Sequence, residues 1–216
     1  MNYFDLIFSN KSILRILQLQ AFKREKVFGN VIEFGADENM EKNFMFSKNR
    51  NINVTYSNIK TKNKKFIKID LQKKIKINKK FDFVIIFNVL EHLSKPETAL
   101  KNIKYLLKKN GCIIGSTPFL FRIHGAPKDF SRYTYDNLEL LLKKKGYKNI
   151  KIEALGIGPF LACISILRSY LKYIPIVFQL MILLSIIFDK IISILIKTNP
   201  KKFIQLDTFF YQKNSL

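Results

Sequence analysis

The sequence predicts an α/β fold: a doubly wound, mostly parallel sheet with apolar helices placed before a last strand. Two observations carry this. Strand-like and helix-like segments alternate from residue 31 to 156, the order that packs helices on both faces of a parallel sheet through right-handed crossovers. The run FDFVIIF at 81–87 is apolar at every position but one, as a strand covered on both faces requires. The 216 residues suit a single domain. Residues 1–30 supply an N-terminal helix, 31–156 the α/β core, 157–200 an apolar helical insertion and 201–216 the last strand.

The elements follow in order. Residues 12–26 carry apolar side chains at 13, 14, 16, 17 and 21, close to helical spacing. VIEFG at 31–35 reads as a buried strand ending in glycine, and ENMEKNFMFSK as the helix after it. INVTYS (52–57) and KFIKID (65–70) are the next strands, before FDFVIIF. Ser94 and Glu97 have the spacing of a capping box, with Pro96 in the first helical turn, where a missing N–H costs little. Ala99, Leu100, Ile103, Leu106 and Leu107 make the apolar face of that helix, and Gly111 is expected to stop it and open the strand GCIIGST. A loop from Pro118 to Thr134, the helix DNLELLLKKKG and the strand NIKIEALG complete the core.

Composition narrows the function. The chain carries 38 basic and 16 acidic residues, a net charge of +22, which favours anionic partners. Only six of the basic residues are arginine, the type that suits bidentate nucleic-acid contacts. Much of the charge is therefore read as compositional, and nucleic acid is not expected as a partner. Two cysteines, Cys112 and Cys163, exclude a disulfide scaffold. Both sit in apolar runs, as buried thiols of a reducing compartment do. No secretory signal is expected, because Asp5 and Ser9 interrupt the early apolar stretch. Cytoplasmic localisation follows, with a peripheral position at the inner membrane face left open.

That opening comes from residues 155–196, where the chain turns strongly apolar. A bilayer span needs about 20 apolar residues, and Ile174 to Ile196 has that length only if Pro175, Gln179 and the pair Asp189-Lys190 are accepted within it. The last segment, 202–213, reads as a strand, and completing the same sheet forbids a simple crossing. One or two apolar helices are expected. Contact of 157–200 with a membrane surface, with Lys172, Lys190, Lys197, Lys201 and Lys202 meeting headgroups, stays open beside a buried cover or homo-oligomer interface.

In sheets of this kind the ligand lies beyond the carboxyl ends of the strands, near the switch point. The strings VIEFG, FDFVIIFNVLEHL, LLKKNGCIIGSTPF and HGAPKDFSRYT resemble a class I S-adenosylmethionine-dependent methyltransferase, most closely the small type-11-like group, over about residues 25–156. The resemblance implies a Rossmann-like methyltransferase fold, S-adenosyl-L-methionine as cofactor, and O-methylation of a sugar, lipid-linked or other small-molecule acceptor. It maps the amino-acid end of the cofactor to Glu33, Gly35 and Asp37, its ribose to Ser57 and Asn58, its adenine to Asp70 and Leu71, and a further contact to Asn88.

The sequence departs from the family pattern twice. Of the glycines in E/D-x-G-x-G-x-G only Gly35 is kept, with Asp37 and Asn39 in place of the others. An acidic residue is usual after the second strand, where Ser57 and Asn58 stand. Asp70 also reads as a cap on the segment that follows. His92, oriented by Glu91, suits a general base, and equally a packing residue. His124 with Asp129 suits a second base, and Asp129 and Arg132 suit reading the acceptor, or a salt bridge pinning the loop. No HExxH, metal-spaced His/Cys set or phosphate loop appears, so no metal is expected. The alternative from another class is a non-catalytic membrane-associated or oligomerising scaffold that keeps the fold.

Overall fold

The computed structural model describes residues 3–8, 11–38, 51–125, 128–171, 173–195, 197 and 206–212. The strands are β1 (Gly29–Phe34), β2 (Ile52–Asn58), β3 (Phe66–Lys68), β4 (Phe81–Phe87), β5 (Leu107–Pro118), β6 (Ile150–Leu155) and β7 (Asp207–Gln212). The helices are α1 (Tyr3–Phe8), α2 (Ile13–Phe22), α3 (Pro96–Leu106), α4 (Tyr135–Lys144), α5 (Pro159–Leu171) and α6 (Pro175–Leu195). The strands form one seven-stranded sheet in the order β3-β2-β1-β4-β5-β7-β6. β1 pairs in parallel with β2 on one side and β4 on the other, and β2–β3 and β4–β5 are parallel too. Strand order therefore reverses between β1 and β4, whose carboxyl ends flank the crevice of a doubly wound sheet. The helix expected over ENMEKNFMFSK lies almost wholly outside the described residues, as do residues 202–205 of the last expected strand.

The chain groups into two compact units. The first comprises residues 26–117, 124–152 and 210–216. Its core sets Ile32 and Phe34 of β1, Val84 and Ile86 of β4 and Ile113 of β5 in one cluster with Ala99, Leu100, Ile103 and Leu106 of α3 and Leu138 and Leu142 of α4. All of FDFVIIF is buried except Asp82. That lone acid accepts from the Asn30 backbone N–H at 2.9 Å and pairs with Lys108 at 2.8 Å. Burial pushes its carboxyl up, but the Lys108 and Asn30 hydrogen bonds outweigh this and hold it low. Leu100 has no solvent exposure, so Leu100→Ala is expected to cost about 2–5 kcal/mol through lost transfer energy plus a cavity, read as a lowered urea midpoint.

Two local expectations are corrected. The Ser94–Glu97 capping box does not form. Gln72, from the segment after β3, takes the Ser94 hydroxyl at 3.0 Å and the Lys95 N–H at 2.8 Å, while Glu97 pairs with Lys145. Gly111 does not end the helix. α3 stops at Leu106, and Gly111 sits within an irregularity of β5, between Leu107 opposite Phe81 and Cys112 opposite Phe83. A Cβ there would lie 2.8 Å from the Phe81 carbonyl oxygen, which only glycine avoids.

The second unit comprises residues 1–25, 118–123 and 153–209. Ser12 caps α2 by accepting from the Arg15 N–H. Gln18 of α2 donates to the Asp207 carboxylate at 2.7 Å with both side chains fully buried. Asp189, a costly charge when the sequence is read as a bilayer span, turns inward. Its carboxylate accepts the Phe160 and Leu161 N–H groups, each at 3.0 Å, filling the donors left open at the first turn of α5. Cys163 is exposed, against the expectation of a buried thiol, whereas Cys112 is buried as expected.

Candidate active site

The crevice lies in the first unit and begins with two strained turns. Gly35 follows β1 at φ +70°, and Asn88 follows β4 at φ +54°. Left-handed backbone is cheap for glycine and tolerable for asparagine, and such strain clusters at functional sites. A Cβ at Gly35 would lie 2.7 Å from Val89 Cγ2. The Ala36 N–H donates to the Ser57 carbonyl at 3.2 Å, and Asn58 Nδ2 to the Ala36 carbonyl at 2.9 Å, so the loop after β1 is laced to the end of β2.

These turns border a cavity of about 240 Å³. Phe34, Ile59, Ile69, Leu71 and Leu93 give it apolar walls, and Asn58, Asp70, Gln72, Asn88 and His92 supply polar groups beside the Gly35 and Val89 turns. Among the expected site residues, Gly35, Asn58, Asp70, Leu71, Asn88 and His92 are thus brought together. Asp70 also does what a cap does, accepting the Gln72 N–H at 2.9 Å, and Asn102 of α3 pins the segment by donating to the Leu71 and Lys73 carbonyls at 2.8 Å. Asn58 is partly committed as well, since its Oδ1 accepts the Lys60 N–H.

Three expected cofactor residues do not line the cavity. Glu33 is buried within β1, opposite Tyr56 of β2. The Tyr56 hydroxyl is pushed up by its own burial and then by the Glu33 charge. Ser57 is fully buried, with its Oγ unpartnered among the described residues. Asp37 is exposed on the loop. Gln72 was missed by sequence reasoning, and Val89 fell within the stretch 88–92 singled out after the fourth strand but was given no role. Their only signal is position, just beyond the ends of β3 and β4.

A second cluster adjoins through His92. Glu91 and His92 form a 3-10 turn after β4, with Glu91 fully buried and its carbonyl accepting the N–H groups of Phe130 and Ser131. His92 Nδ1 lies 2.6 Å from the Lys128 carbonyl. A carbonyl oxygen can only accept, so Nδ1 carries the proton and the lone pair of the neutral ring is on Nε2. The rings of His92 and His124 meet edge to face, centroids 4.9 Å apart. His124 Nδ1 is 3.3 Å from the Asp129 carboxylate, which also accepts the His124 N–H at 3.0 Å and both terminal nitrogens of Arg132. Asp129 thus contacts His124 and forms the loop salt bridge with Arg132; reading of the acceptor by Asp129 and Arg132 stays an expectation. Glu91, His92 and His124 also place ligand atoms within 4.8 Å of one another, a grouping that could hold a metal and that no spacing in the sequence signals.

Arg132 hydrogen bonds hold the Asp129 carboxyl well below the carboxylate range, against the upward push of burial. Because the folded value lies below that of the unfolded chain, about 3.9, the pair's stabilisation is present above about pH 4 and is lost as pH falls through the folded value. Acid titration followed by near-ultraviolet circular dichroism is expected to show an earlier acid transition in Asp129→Asn than in the parent chain.

Similar solved structures share this architecture at low identity. Phosphoethanolamine N-methyltransferase 2 of Haemonchus contortus, in complex with phosphomonomethylethanolamine and S-adenosylhomocysteine, is 14% identical with a TM-score of 0.57 and covers 99% of this chain. The chain spans 56% of that protein's length, just over half. A SAM-dependent methyltransferase from Archaeoglobus fulgidus is 17% identical with a TM-score of 0.59, covering 96% of each chain. The [4+2]-cyclase SpnF is 12% identical, TM-score 0.59, covering 93% of this chain and 81% of its own. No curated protein matches the sequence. Residues 8–152, well over half of the chain, match the family described as methyltransferase domain; the chain belongs to that family, and its α/β core has the class I S-adenosylmethionine-dependent methyltransferase fold.

Proposed function

We propose that this chain is an S-adenosylmethionine-dependent methyltransferase acting on a hydroxyl of a sugar, a lipid-linked intermediate or another small molecule. The observation that carries the reading is the cavity at the switch point, where Gly35, Asn58, Asp70, Leu71, Asn88 and His92 converge. Apolar walls with a few placed polar groups suit an amphiphilic nucleoside. Gly35 allows close backbone approach, Asp70 offers a carboxylate acceptor to an amino or hydroxyl group, and Asn58 and Asn88 offer amides. Glu33, Ser57 and Asp37 lie outside the cavity lining and bear on the ligand only through the strand ends and the loop they belong to.

When bound, the cofactor supplies an electrophilic methyl on a sulfonium, so the protein's main task is alignment. His92, a wall of the cavity whose Nε2 lies 3.8 Å from Glu91 Oε1, takes the proton of the acceptor hydroxyl. His124, oriented by Asp129, packs on the His92 ring and serves as a second proton acceptor. Asp129 and Arg132 hold the loop that faces the acceptor. Cytoplasmic localisation belongs to the same reading.

The test is transfer of labelled methyl from S-adenosylmethionine into paired hydroxyl and amine acceptors. Alkali-stable label in the hydroxyl series is expected, and label confined to amines overturns the oxygen reading. A non-catalytic scaffold is the second reading. It is favoured by the single retained glycine and by Asn58, whose amide already serves Ala36 and Lys60. Absence of cofactor binding would favour the scaffold.

A further inference from the structure

α6 has the reverse of the pattern that water selects. Its buried stripe is Ile182, Ser185, Ile186 and Asp189, two of them polar. Those polar groups are satisfied inside the second unit: Ser185 donates to the Ile182 carbonyl, and Asp189 accepts from the start of α5. The opposite stripe, at the i, i+3, i+4 spacing of one helical face, is wholly apolar. Ile176, Leu180, Leu184, Ile187, Ile191 and Ile194 are 43% to 76% exposed. An apolar outer face over a polar inner one matches a non-aqueous surround.

The surround can be named from three further features. Tyr170 and Tyr173, each 77% exposed, stand at the turn between α5 and α6 beside exposed Ile174. Amphipathic rings in that position prefer the headgroup level of a bilayer. The chain carries +22, with Lys190 and Lys197 exposed on and just after α6. That charge attracts anionic lipid and opposes a second copy of the same chain. Finally, the Leu206 N–H donates to the Leu155 carbonyl at 2.9 Å, so the segment holding α5 and α6 leaves and re-enters at one point. α6 has the length and composition of a span, but an excursion that closes on itself cannot carry β7 across a bilayer.

We propose that the outer face of α6 and the α5–α6 turn dock into one leaflet of an anionic lipid bilayer without crossing it. Binding then combines buried apolar area with lysine attraction to headgroups. This proposal stands apart from the methyl-transfer reading and neither needs nor supports it.

The test uses the full chain and vesicles of phosphatidylcholine with about 30 mol% phosphatidylglycerol, at about 150 mM salt, where exposed charges are screened beyond about 8 Å. Co-sedimentation is expected, weaker with pure phosphatidylcholine. The variant Leu180→Gln/Leu184→Gln/Ile187→Gln is expected to lose about 10-fold or more in partitioning, as burial-driven docking requires, with an unchanged circular dichroism spectrum. A second variant, Leu184→Glu alone, repeats the readout if the triple variant misfolds. Three results overturn the proposal: no binding of the parent chain to anionic vesicles; equal binding by the variants, which would leave lysine adhesion alone; or a dimer in sedimentation velocity that the variants break while vesicles stay unbound.

Discussion

Gly35→Val is expected to remove S-adenosylhomocysteine binding while the sheet remains folded. The residue sits at φ +70°, where a β-branched side chain pays about 1–2 kcal/mol or more in backbone strain. Its Cβ would also meet Val89 Cγ2 at 2.7 Å, so Val89, itself a wall of the cavity, must shift. Both effects fall on the turn that lets ligand approach the backbone. We expect affinity to fall at least about 100-fold, or about 2.8 kcal/mol, against a modest drop in melting temperature. Gly35→Asn, which tolerates left-handed backbone, should keep more of the affinity. Calorimetric titration beside thermal melts checks the pair. Unchanged affinity in the valine variant would place the ligand elsewhere.

His92→Ala is expected to lower kcat by about 10²–10⁴-fold, the usual worth of a positioned general base, with little change in the Kd for cofactor. The basis is the Lys128 carbonyl, which fixes the proton on Nδ1 and leaves Nε2 to act. His124→Ala should cost less, because the His92 tautomer does not depend on it. Single-turnover rates beside cofactor titrations separate the effects. A variant that loses cofactor affinity and rate equally would make His92 a binding residue and nothing more.

Much of this was legible from local pattern. FDFVIIF announced a central strand, Pro96 the start of α3 and Thr134 the loop end that caps α4 by accepting the Asn137 N–H. The segments after β1, β3 and β4 were the right places to look, because the carboxyl ends of parallel strands are set by topology and not by fine contacts. What could not be read depended on contacts across long stretches of chain. Ser94 and Glu97 had the spacing of a capping box, yet Gln72, 22 residues from Ser94, takes the Ser94 hydroxyl and Glu97 turns to Lys145. The meeting of His92 with His124 joins two loops whose approach no spacing encodes. Glu33 and Ser57 took their expected roles from family position, and both side chains are buried within the sheet and do not line the cavity. Asp189 looked like a charge stranded in a bilayer span because its partners, the N–H groups of Phe160 and Leu161, lie on another helix.

The central claim is that the crevice between the ends of β1 and β4 holds an adenosyl ligand. Isothermal titration of the intact chain with S-adenosylmethionine and with S-adenosylhomocysteine tests it most directly. Saturable one-to-one binding is expected, with a Kd below about 1 mM, more than about 4 kcal/mol, weakened by Asp70→Ala. Absence of heat with both ligands, confirmed by unchanged melting temperature at saturating concentrations, would contradict it.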